Sequence, residues 1–325
     1  MINSYINSIS FHVPDEVITN DDLSKMMDTS DEWIKTRTGI HQRHTVGKNC
    51  LGPADLAVEA AKKAFHLSNI NKEDIDFVVF ATSTPDFFVP GSGSIFQEKM
   101  GLDNIGVLDI RQGCSGFTYA ITVANQFIKA GTHQNILVIG AEVQTTQLDF
   151  DDEGRGTAIL FGDGAAACIL SATNENRGIL SSHLHTDGKY INELGTEYPS
   201  SKYKDIITVE AVKERKHHIH MNGREVFKHA VKRFPEVILE GLEYNNIKLE
   251  DVKIVIPHQA NHRITQAVQR QLGVSEKIVY SNIHKYGNTT AASVGIALSE
   301  ALEEGKIKED DIVVLAAFGA GFYWG

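Results

Sequence analysis

The sequence predicts an α/β protein made of two similar halves, and three observations lead to this fold class. Apolar, strand-like segments alternate with amphipathic, helix-like segments along the chain, which is typical of sheets covered by helices. The strand-like segments are almost continuously apolar, as expected for strands that are buried on both faces. In addition, two stretches of the first half recur in the same order in the second half.

The individual elements follow from these patterns. Short apolar runs predict strands at 75–83, 135–142, 165–171, 252–257 and 311–321. Amphipathic spacing and boundary residues predict helices at 53–67, 115–131 and 224–244. Pro235 lies inside the third of these helices, so we expect that helix to be kinked or split there.

The first recurrence joins a helix end, a turn and a strand. The segment NINKEDIDFVVFA at 69–81 resembles NIKLEDVKIVIPH at 246–258. The offset, from Ile70 to Ile247, is 177 positions. This recurrence predicts a duplicated chain whose halves share one core, although any two α/β units have some likeness.

The second recurrence joins a helix to the strand after it. Its offset, from Gly131 to Gly305, is 174 positions. The same offset carries Cys114 onto Asn288, which predicts that these two residues occupy equivalent helix starts. The predicted halves are residues 1–171 and 172–325.

Composition excludes several classes of protein. The 325 residues carry a net charge of −11, which argues against non-specific binding to nucleic acids or membranes. Cys50, Cys114 and Cys168 are odd in number and widely spaced, so we expect neither a disulfide framework nor a zinc site. Three histidines at 216–222 lack a patterned carboxylate or cysteine, so no metal site is predicted there. With no secretory signal and no membrane-length apolar run, a cytoplasmic protein with free thiols is expected.

Cys114 is the first candidate for chemistry. The segment DIRQGCSGFTYA, at 109–120, places it between two glycines at the start of a predicted helix. The N–H groups of a helix N-terminus favour a thiolate, which predicts a lowered thiol pKa and a nucleophile for acyl transfer. The alternative is a small buried apolar side chain, the commoner role of a free cysteine.

Three further features are candidates for the same site. His258 follows the carboxyl end of a predicted strand, where open α/β sheets place catalytic groups, unless it is a structural histidine. Asn288 lies in a tight turn before a helix, where its amide can cap the helix or donate to a developing oxyanion. The glycine-rich turn at 317–325 either lines an oxyanion site with backbone N–H groups or is an ordinary turn.

Taken together, these segments resemble the thiolase-like condensing enzymes, and most closely the β-ketoacyl-acyl-carrier-protein synthase III family. The resemblance covers nearly the whole chain, in the family's order, through the blocks at 19–44, 113–120, 154–165, 221–231, 257–264 and 286–293. It implies a thiolase-like fold with duplicated halves in a five-layer αβαβα arrangement. It also implies an acyltransferase that condenses an acyl-CoA primer with malonyl-acyl-carrier protein, with loss of CO2, to initiate fatty-acid synthesis. Coenzyme A is then part of a substrate, and no permanently bound cofactor is expected. The resemblance also implies a homodimer.

The resemblance further implies a role for each catalytic residue. Cys114 accepts the acyl group from acyl-CoA. His258 and Asn288 hold the malonyl thioester while it loses CO2. The backbone N–H groups of Cys114 and Ala320 bind the tetrahedral oxyanion, which stabilises the charge that develops there.

Three binding regions are implied by the resemblance as well. The coenzyme A tunnel would include Trp33, Arg37, Arg155, Asn222, Phe227, Ala260 and Asn261. Carrier-protein docking would involve Lys228, Gln259, Arg263 and Arg270. The acyl pocket, with a gate that in the family closes the partner subunit's pocket, would involve Gln112, Phe87, Phe88 and Val89.

The sequence departs from the family's pattern at several of these places. Arg111 and Gln112 precede the cysteine where small residues are usual, and Arg224 replaces an asparagine at the tunnel. Val89 stands at the usual aromatic position of the gate. Ala320 replaces the middle glycine of the terminal turn, which requires its φ to be negative.

Related classes fit less well. A degradative thiolase needs a second cysteine in its C-terminal half, and none follows Cys168. Elongating synthases use two histidines, whereas Asn288 fills the second position. An HMG-CoA-synthase-like enzyme needs a glutamate base, and we assign no glutamate of this sequence to that role. Plant-type polyketide synthases share the Cys-His-Asn set but differ in the flanking blocks. Two alternatives stay open: a paralogue that condenses a longer or unusual acyl group in secondary metabolism, and a non-catalytic acyl-binding scaffold.

Overall fold

The computed structural model describes residues 2–325. Its helices are α1 (Asn20–Leu23), α2 (Asp31–Thr38), α3 (Pro53–Leu67), α4 (Ser92–Met100), α5 (Gly116–Lys129), α6 (Arg155–Ala158), α7 (Val209–Lys213), α8 (Gly223–Tyr244), α9 (His262–Leu272), α10 (Ile283–Tyr286) and α11 (Ser293–Glu303). Its strands are β1 (Asn3–His12), β2 (Val17–Thr19), β3 (Gln42–His44), β4 (Phe77–Ala81), β5 (Gly106–Ile110), β6 (Asn135–Glu142), β7 (Gly164–Thr173), β8 (His185–Thr186), β9 (Leu194–Gly195), β10 (His220–Met221), β11 (Val252–Pro257), β12 (Ile312–Ala316), β13 (Phe318–Gly319) and β14 (Tyr323–Trp324). No helix within residues 2–325 is both long enough and apolar enough to cross a membrane.

The first sheet has the strand order β1-β7-β6-β4-β5. Strand β4 is parallel to both β5 and β6, whereas β7 is antiparallel to β6 and β1. Strands β4, β6 and β7 are buried over almost their whole length, as their continuous apolar runs predicted. Strand β5 forms the edge of the sheet and is largely exposed.

The second sheet repeats this order. Strand β11 is parallel to β12, and on its other side Val255 exchanges backbone hydrogen bonds with Ile278 and Tyr280. Beyond β12, the chain at Ala317 and in β13 pairs antiparallel with β14 and Gly325, and β14 pairs antiparallel with β8. The strands around β11 therefore correspond, one for one, to those around β4.

The helices separate these sheets into five layers. Helices α5 and α11 lie between the sheets, where their apolar residues form one core with strands of both. Helices α3 and α4 cover the outer face of the first sheet, and α8 and α9 cover the outer face of the second. This arrangement confirms the predicted five-layer thiolase-like fold.

The two helix starts in the middle layer are equivalent, but Cys114 is not equivalent to Asn288. A 3₁₀ turn precedes each helix, at 113–115 and 290–292. These turns begin with left-handed backbone, at Gly113 (φ 51°) and Thr290 (φ 49°). Cys114 therefore corresponds to Ala291, with an offset of 177, and the prediction that it corresponds to Asn288 is wrong.

The error has a simple cause in the helix lengths. Helix α5 has 14 residues and α11 has 11, so matching the glycines after the two helices gives an offset three residues too small. The loop after α11 is longer by the same amount, because Asn135 and Ile312, which begin β6 and β12, are again 177 positions apart. The division at 171/172 stays a prediction, and β7 continues past it to Thr173.

Helix α8 is not split at Pro235. The helix is unbroken from Gly223 to Tyr244, with Pro235 buried inside it. The proline removes one hydrogen bond of the helix. Burial of residues on both sides of it, Phe234 and Val237 among them, keeps the helix packed on the second sheet.

Candidate active site

Cys114 lies in the turn that starts α5, pressed against the C-terminal turn of the chain. Its side chain is buried, with 5% of its surface exposed. A Cβ atom on Gly319 would lie 2.6 Å from Cys114 Cβ and 3.1 Å from its Sγ, so only glycine fits there. The positive φ of Gly113, immediately before the cysteine, likewise favours glycine.

Two backbone N–H groups point at the cysteine sulfur. They belong to Cys114 itself and to Ala320, the pair that the sequence predicted as oxyanion donors. Ala320 is not among the residues with a positive φ, so an alanine can replace the glycine that is usual at this position without backbone strain.

The thiol is protonated in the absence of substrate. The pKa of Cys114 is raised to about 12, mainly by burial and to a smaller extent by the carboxylate of Glu142. The two N–H groups oppose this shift but do not overcome it. The prediction of a lowered pKa is therefore wrong, because desolvation outweighs the helix N-terminus.

His258 follows strand β11, as predicted, and is uncharged. Its backbone N–H donates to Ala316 O at 2.7 Å, and its side chain is only 2% exposed. Burial lowers the pKa of its imidazole to about 3. Its Nε2 atom is buried without a hydrogen-bond partner among the residues described. This buried polar atom is therefore available to a ligand or substrate.

Ser293 contacts the Nδ1 atom of that imidazole. Its Oγ lies 2.5 Å from His258 Nδ1 and accepts the Gln259 N–H at 3.3 Å. The hydroxyl carries one proton, which it can donate to Nδ1. The ring proton then resides on Nε2, so His258 faces the site as a neutral hydrogen-bond donor.

Asn288 is held so that its amide can also donate. Its Oδ1 accepts the Thr290 N–H at 2.9 Å, and its backbone N–H donates to Leu160 O at 2.8 Å. With Oδ1 occupied, the Nδ2 group is the free end of the amide. Neither Asn288 nor Thr289 caps α11 with its side chain, because the N-cap of that helix is Ala292.

Contacts between element ends bring the three predicted catalytic residues to one region. His258 is bonded to Ala316, and the chain leaving Ala316 runs directly to the turn that covers Cys114. Ala291, three residues after Asn288, packs against the first residue of the helix that Cys114 precedes. The segments that carry the predicted nucleophile and the predicted donors thus come from the two predicted halves and pack together.

The predicted coenzyme residues form two groups. Guanidinium carbons of Arg37 and Arg155 lie 4.3 and 5.3 Å from the centre of the Trp33 ring, so planar cationic and aromatic side chains are grouped there. The second group lies at the starts of α8 and α9. Asn222 caps α8, Asn261 caps α9 through Arg263 N–H at 2.9 Å, Ala260 is half-buried and Phe227 is 39% exposed.

The predicted docking residues separate into surface and interior. Lys228, Arg263 and Arg270 are exposed on α8 and α9, which pack together. Gln259 is 1% exposed, and its amide bonds Pro257 O, Tyr280 O and Asn282 N. The prediction that Gln259 contacts a carrier protein is therefore wrong, because its polar atoms are used within the second half.

The predicted gate lies on the surface of this single chain. Phe87, Phe88 and Val89 are 61%, 49% and 79% exposed, on the segment between β4 and α4. Gln112 instead adjoins Cys114 and has a buried Oε1 without a partner. No group of three or more histidine, cysteine or acidic residues in the described chain could hold a metal ion.

Two residues near the site were not predicted. Ser293 lies in a segment whose pattern is that of an ordinary helix start. Nothing in the sequence therefore predicts its contact with His258. Glu142 is a fully buried carboxylate near Cys114. Its position, at the end of the apolar run NILVIGAE, was the available signal.

This fold and this site define a thiolase-like condensing enzyme. The family model described as 3-Oxoacyl-[acyl-carrier-protein (ACP)] synthase III matches residues 108–188, and the model for its C-terminal part matches residues 242–325. The β-ketoacyl-[acyl-carrier-protein] synthase III of Clostridioides difficile is 44% identical over 98% of this chain and 96% of its own length. The chain belongs to the β-ketoacyl-acyl-carrier-protein synthase III family.

Other relatives agree with this assignment. The synthase III of Listeria innocua is 40% identical over 100% of this chain and 97% of its own length. A solved structure of 3-oxoacyl-[acyl-carrier-protein] synthase III from Aquifex aeolicus superposes with a TM-score of 0.90 at 38% identity, covering 99% of this chain and 97% of that one. The corresponding enzyme from Thermus thermophilus gives a TM-score of 0.90 at 37% identity, over 98% and 97% of the two chains.

Proposed function

We propose that this protein initiates fatty-acid synthesis by condensing a short acyl-CoA, such as acetyl-CoA, with malonyl-acyl-carrier protein. The observation that carries the proposal is the buried Cys114 thiol, which meets two backbone N–H groups, together with the buried Nε2 of a neutral His258, which has no hydrogen-bond partner among the described residues. Relatives with 40–44% identity over nearly the whole chain carry the name of that activity. They do not favour the alternative of a secondary-metabolism paralogue or of a non-catalytic scaffold.

The first half-reaction loads the nucleophile. The acyl-CoA carbonyl oxygen accepts hydrogen bonds from the N–H groups of Cys114 and Ala320, which polarises the carbonyl carbon. The sulfur attacks this carbon, the bond to the coenzyme A sulfur breaks, and the thiol proton leaves with coenzyme A as its free thiol. Because the thiol starts protonated, this proton transfer accompanies the attack.

The second half-reaction forms the carbon–carbon bond. His258 Nε2–H and Asn288 Nδ2–H donate to the malonyl thioester oxygen, so the electrons released with CO2 collect on a stabilised enolate oxygen. The enolate carbon attacks the acyl thioester, and the Cys114 and Ala320 N–H groups hold the resulting oxyanion. Its collapse releases 3-oxoacyl-carrier protein, and the cysteine sulfur takes up one proton.

Labelling with acyl-CoA tests the proposal. Purified protein incubated with radiolabelled acetyl-CoA is expected to retain label at Cys114, located by mass spectrometry of the peptide, because the thioester forms without the second substrate. A panel of acyl-CoA lengths then ranks the primers, and we expect short chains to load fastest. Absence of label from every acyl-CoA would support a scaffold, and preference for long chains would support the paralogue.

The substrates imply the roles of the two surface groups. We assign the coenzyme A adenine to the stack of Trp33, Arg37 and Arg155, which offers planar cationic and aromatic surfaces. The exposed charges of Lys228, Arg263 and Arg270 form a local basic patch suited to an acidic carrier protein. Because of these substrates, we propose that the enzyme acts in the cytoplasm.

The exposed edge of the first sheet supports a homodimer. Strand β5 pairs with β4 alone among the strands in residues 2–325, and its Leu108 is 37% exposed. An open, partly apolar edge strand is usually covered in the native assembly. The predicted gate, Phe87 to Val89, is a second exposed apolar segment, and in a dimer it would close the acyl pocket of the partner subunit.

Light scattering after size exclusion tests this assembly. The protein is expected to elute as a dimer of 35.8 kDa chains. Leu108→Glu is expected to yield monomers, because it places like charges at the two-fold contact. The matched control is Leu67→Glu, at an exposed position (59%) at the end of α3, which should remain dimeric. A monomeric wild-type protein, or a dimeric Leu108→Glu protein, would contradict the assignment.

A further inference from the structure

Glu142 is a buried carboxylate that the mechanism above does not use. It ends strand β6 and has no exposed surface. Its oxygens accept the Ser83 N–H at 2.9 and 3.1 Å and the Thr84 hydroxyl at 2.7 Å, and they also accept the Ala291 N–H. All of these partners are uncharged, so no cation neutralises the carboxylate through a hydrogen bond.

The partners of Glu142 belong to the segments that make up the site. Ser83 and Thr84 begin the segment that leads from β4 to the predicted gate. Ala291 occupies the turn after Asn288, at the position equivalent to Cys114. The carboxyl group of Glu142 is therefore hydrogen-bonded both to the segment that leads to the gate and to the turn after Asn288.

The charge of Glu142 acts on the Cys114 sulfur. Burial raises the pKa of Glu142 to about 7, so the group ionises in the physiological range. Once ionised, it disfavours the thiolate and raises the pKa of Cys114. Other titratable groups nearby are directed elsewhere: Asp109 accepts the Gly93 N–H at 2.9 Å, and burial alone sets the pKa of His258.

We propose that Glu142 is a positioning residue of this site, whose buried carboxyl group acts through space on the Cys114 sulfur and lowers the reactivity of that thiol when the carboxyl is ionised. The inference rests on the proposed role of Cys114 as nucleophile. Below the pKa of Glu142 the carboxyl is neutral and leaves the thiol unaffected. As the pH rises through this pKa, the carboxylate forms and opposes thiolate formation, so in that range thiol reactivity rises less steeply with pH than it would for an isolated cysteine.

The pH dependence of Cys114 alkylation tests this proposal. Rates with iodoacetamide are followed by peptide mass spectrometry in a Cys50→Ser background, since Cys50 is exposed. Glu142→Gln keeps the shape but stays neutral. The ratio of its alkylation rate to that of the parent is expected to be near one at pH 5.5 and to rise to about tenfold above pH 8, the effect of a one-unit change in thiol pKa.

A second variant retains the charge and shifts its titration. Thr84→Val removes the hydroxyl that donates to Glu142, and this hydrogen bond lowers the pKa of the carboxyl. The carboxyl then stays neutral to higher pH. Alkylation is therefore expected to exceed that of the parent between about pH 7 and 8 and to return to it at higher pH, where the carboxylate forms. If Glu142→Gln does not fold, Thr84→Val still tests whether ionisation of Glu142 changes the reactivity of Cys114.

Asp163→Asn is the matched control. Asp163 is also a buried carboxylate, but it bonds Thr145 and Val46 and is not among the charges acting on Cys114. Its variant is expected to lose thermal stability and keep the parent's pH profile. Parallel pH profiles for Glu142→Gln and the parent would overturn the proposal. Alkylation needs no acyl substrate, so that outcome is separate from a failure of acetyl-CoA labelling.

Discussion

Replacing Cys114 by alanine is expected to abolish condensation, by at least about 10⁴-fold, while malonyl-carrier protein still loses CO2. The variant has no sulfur to hold the acyl group, so the acyl thioester that the enolate would attack does not form. The donors that stabilise the enolate, on His258 and Asn288, come from the other half of the fold and keep their own hydrogen-bond partners. Release of labelled CO2 and formation of 3-oxoacyl product, measured on the same sample, separate the two steps.

Cys168→Ala is the control for this experiment. Cys168 is also fully buried, but it lies in the middle of β7 and is surrounded by apolar residues. Its replacement removes one sulfur atom from the core, so we expect a modest loss of stability and nearly unchanged condensation. Condensation by Cys114→Ala above 1% of the wild-type rate would show that another group carries the acyl chain.

The elements that the sequence predicted best are those whose own residues determine them. Helix α3 and strands β6 and β11 have the predicted bounds, because amphipathic spacing or a continuous apolar run marks each of them. The pairing of Cys114 with Asn288 failed because it depended on the length of α11. That length is set by where the helix meets its neighbours, and the spacing of two glycines does not show it.

The sequence predicted which residue types belong to the site. Its predictions were wrong where the burial of a side chain determines its contacts or its pKa. Gln259 looks like a surface residue in the polar segment PHQANHRI, yet its amide is bonded to backbone groups of Tyr280 and Asn282, more than twenty positions away. The thiol pKa of Cys114 was predicted in the wrong direction for the same reason. A helix N-terminus is visible in a sequence, whereas the depth at which a sulfur is buried is not.

Replacing His258 by alanine is expected to impair decarboxylation and leave acyl loading intact, whereas Cys114→Ala prevents loading and leaves decarboxylation. Acetyl-CoA should still label Cys114, because the backbone donors at the sulfur remain. Decarboxylation and condensation should both fall about 10²- to 10³-fold, the usual cost of one donor to a developing oxyanion, or about 2.7–4 kcal/mol. Mass spectrometry of the acyl-enzyme and labelled CO2 release measure the two effects, and wild-type condensation by this variant would remove His258 from the reaction.

The pH dependence and the Ser293→Ala variant show in what form His258 acts. A buried imidazole with its pKa lowered to about 3 is neutral throughout pH 5–9, so decarboxylation should show no titration of His258 in that range. Ser293→Ala removes the proton donor to Nδ1, which frees the ring to place its proton on either nitrogen. Decarboxylation should then fall about tenfold while labelling of Cys114 is unchanged, with Ser293→Thr restoring much of the rate. An ionised imidazole would instead carry protons on both nitrogens, would not depend on Ser293 for a donor at Nε2, and would lose activity as the pH rises through its pKa.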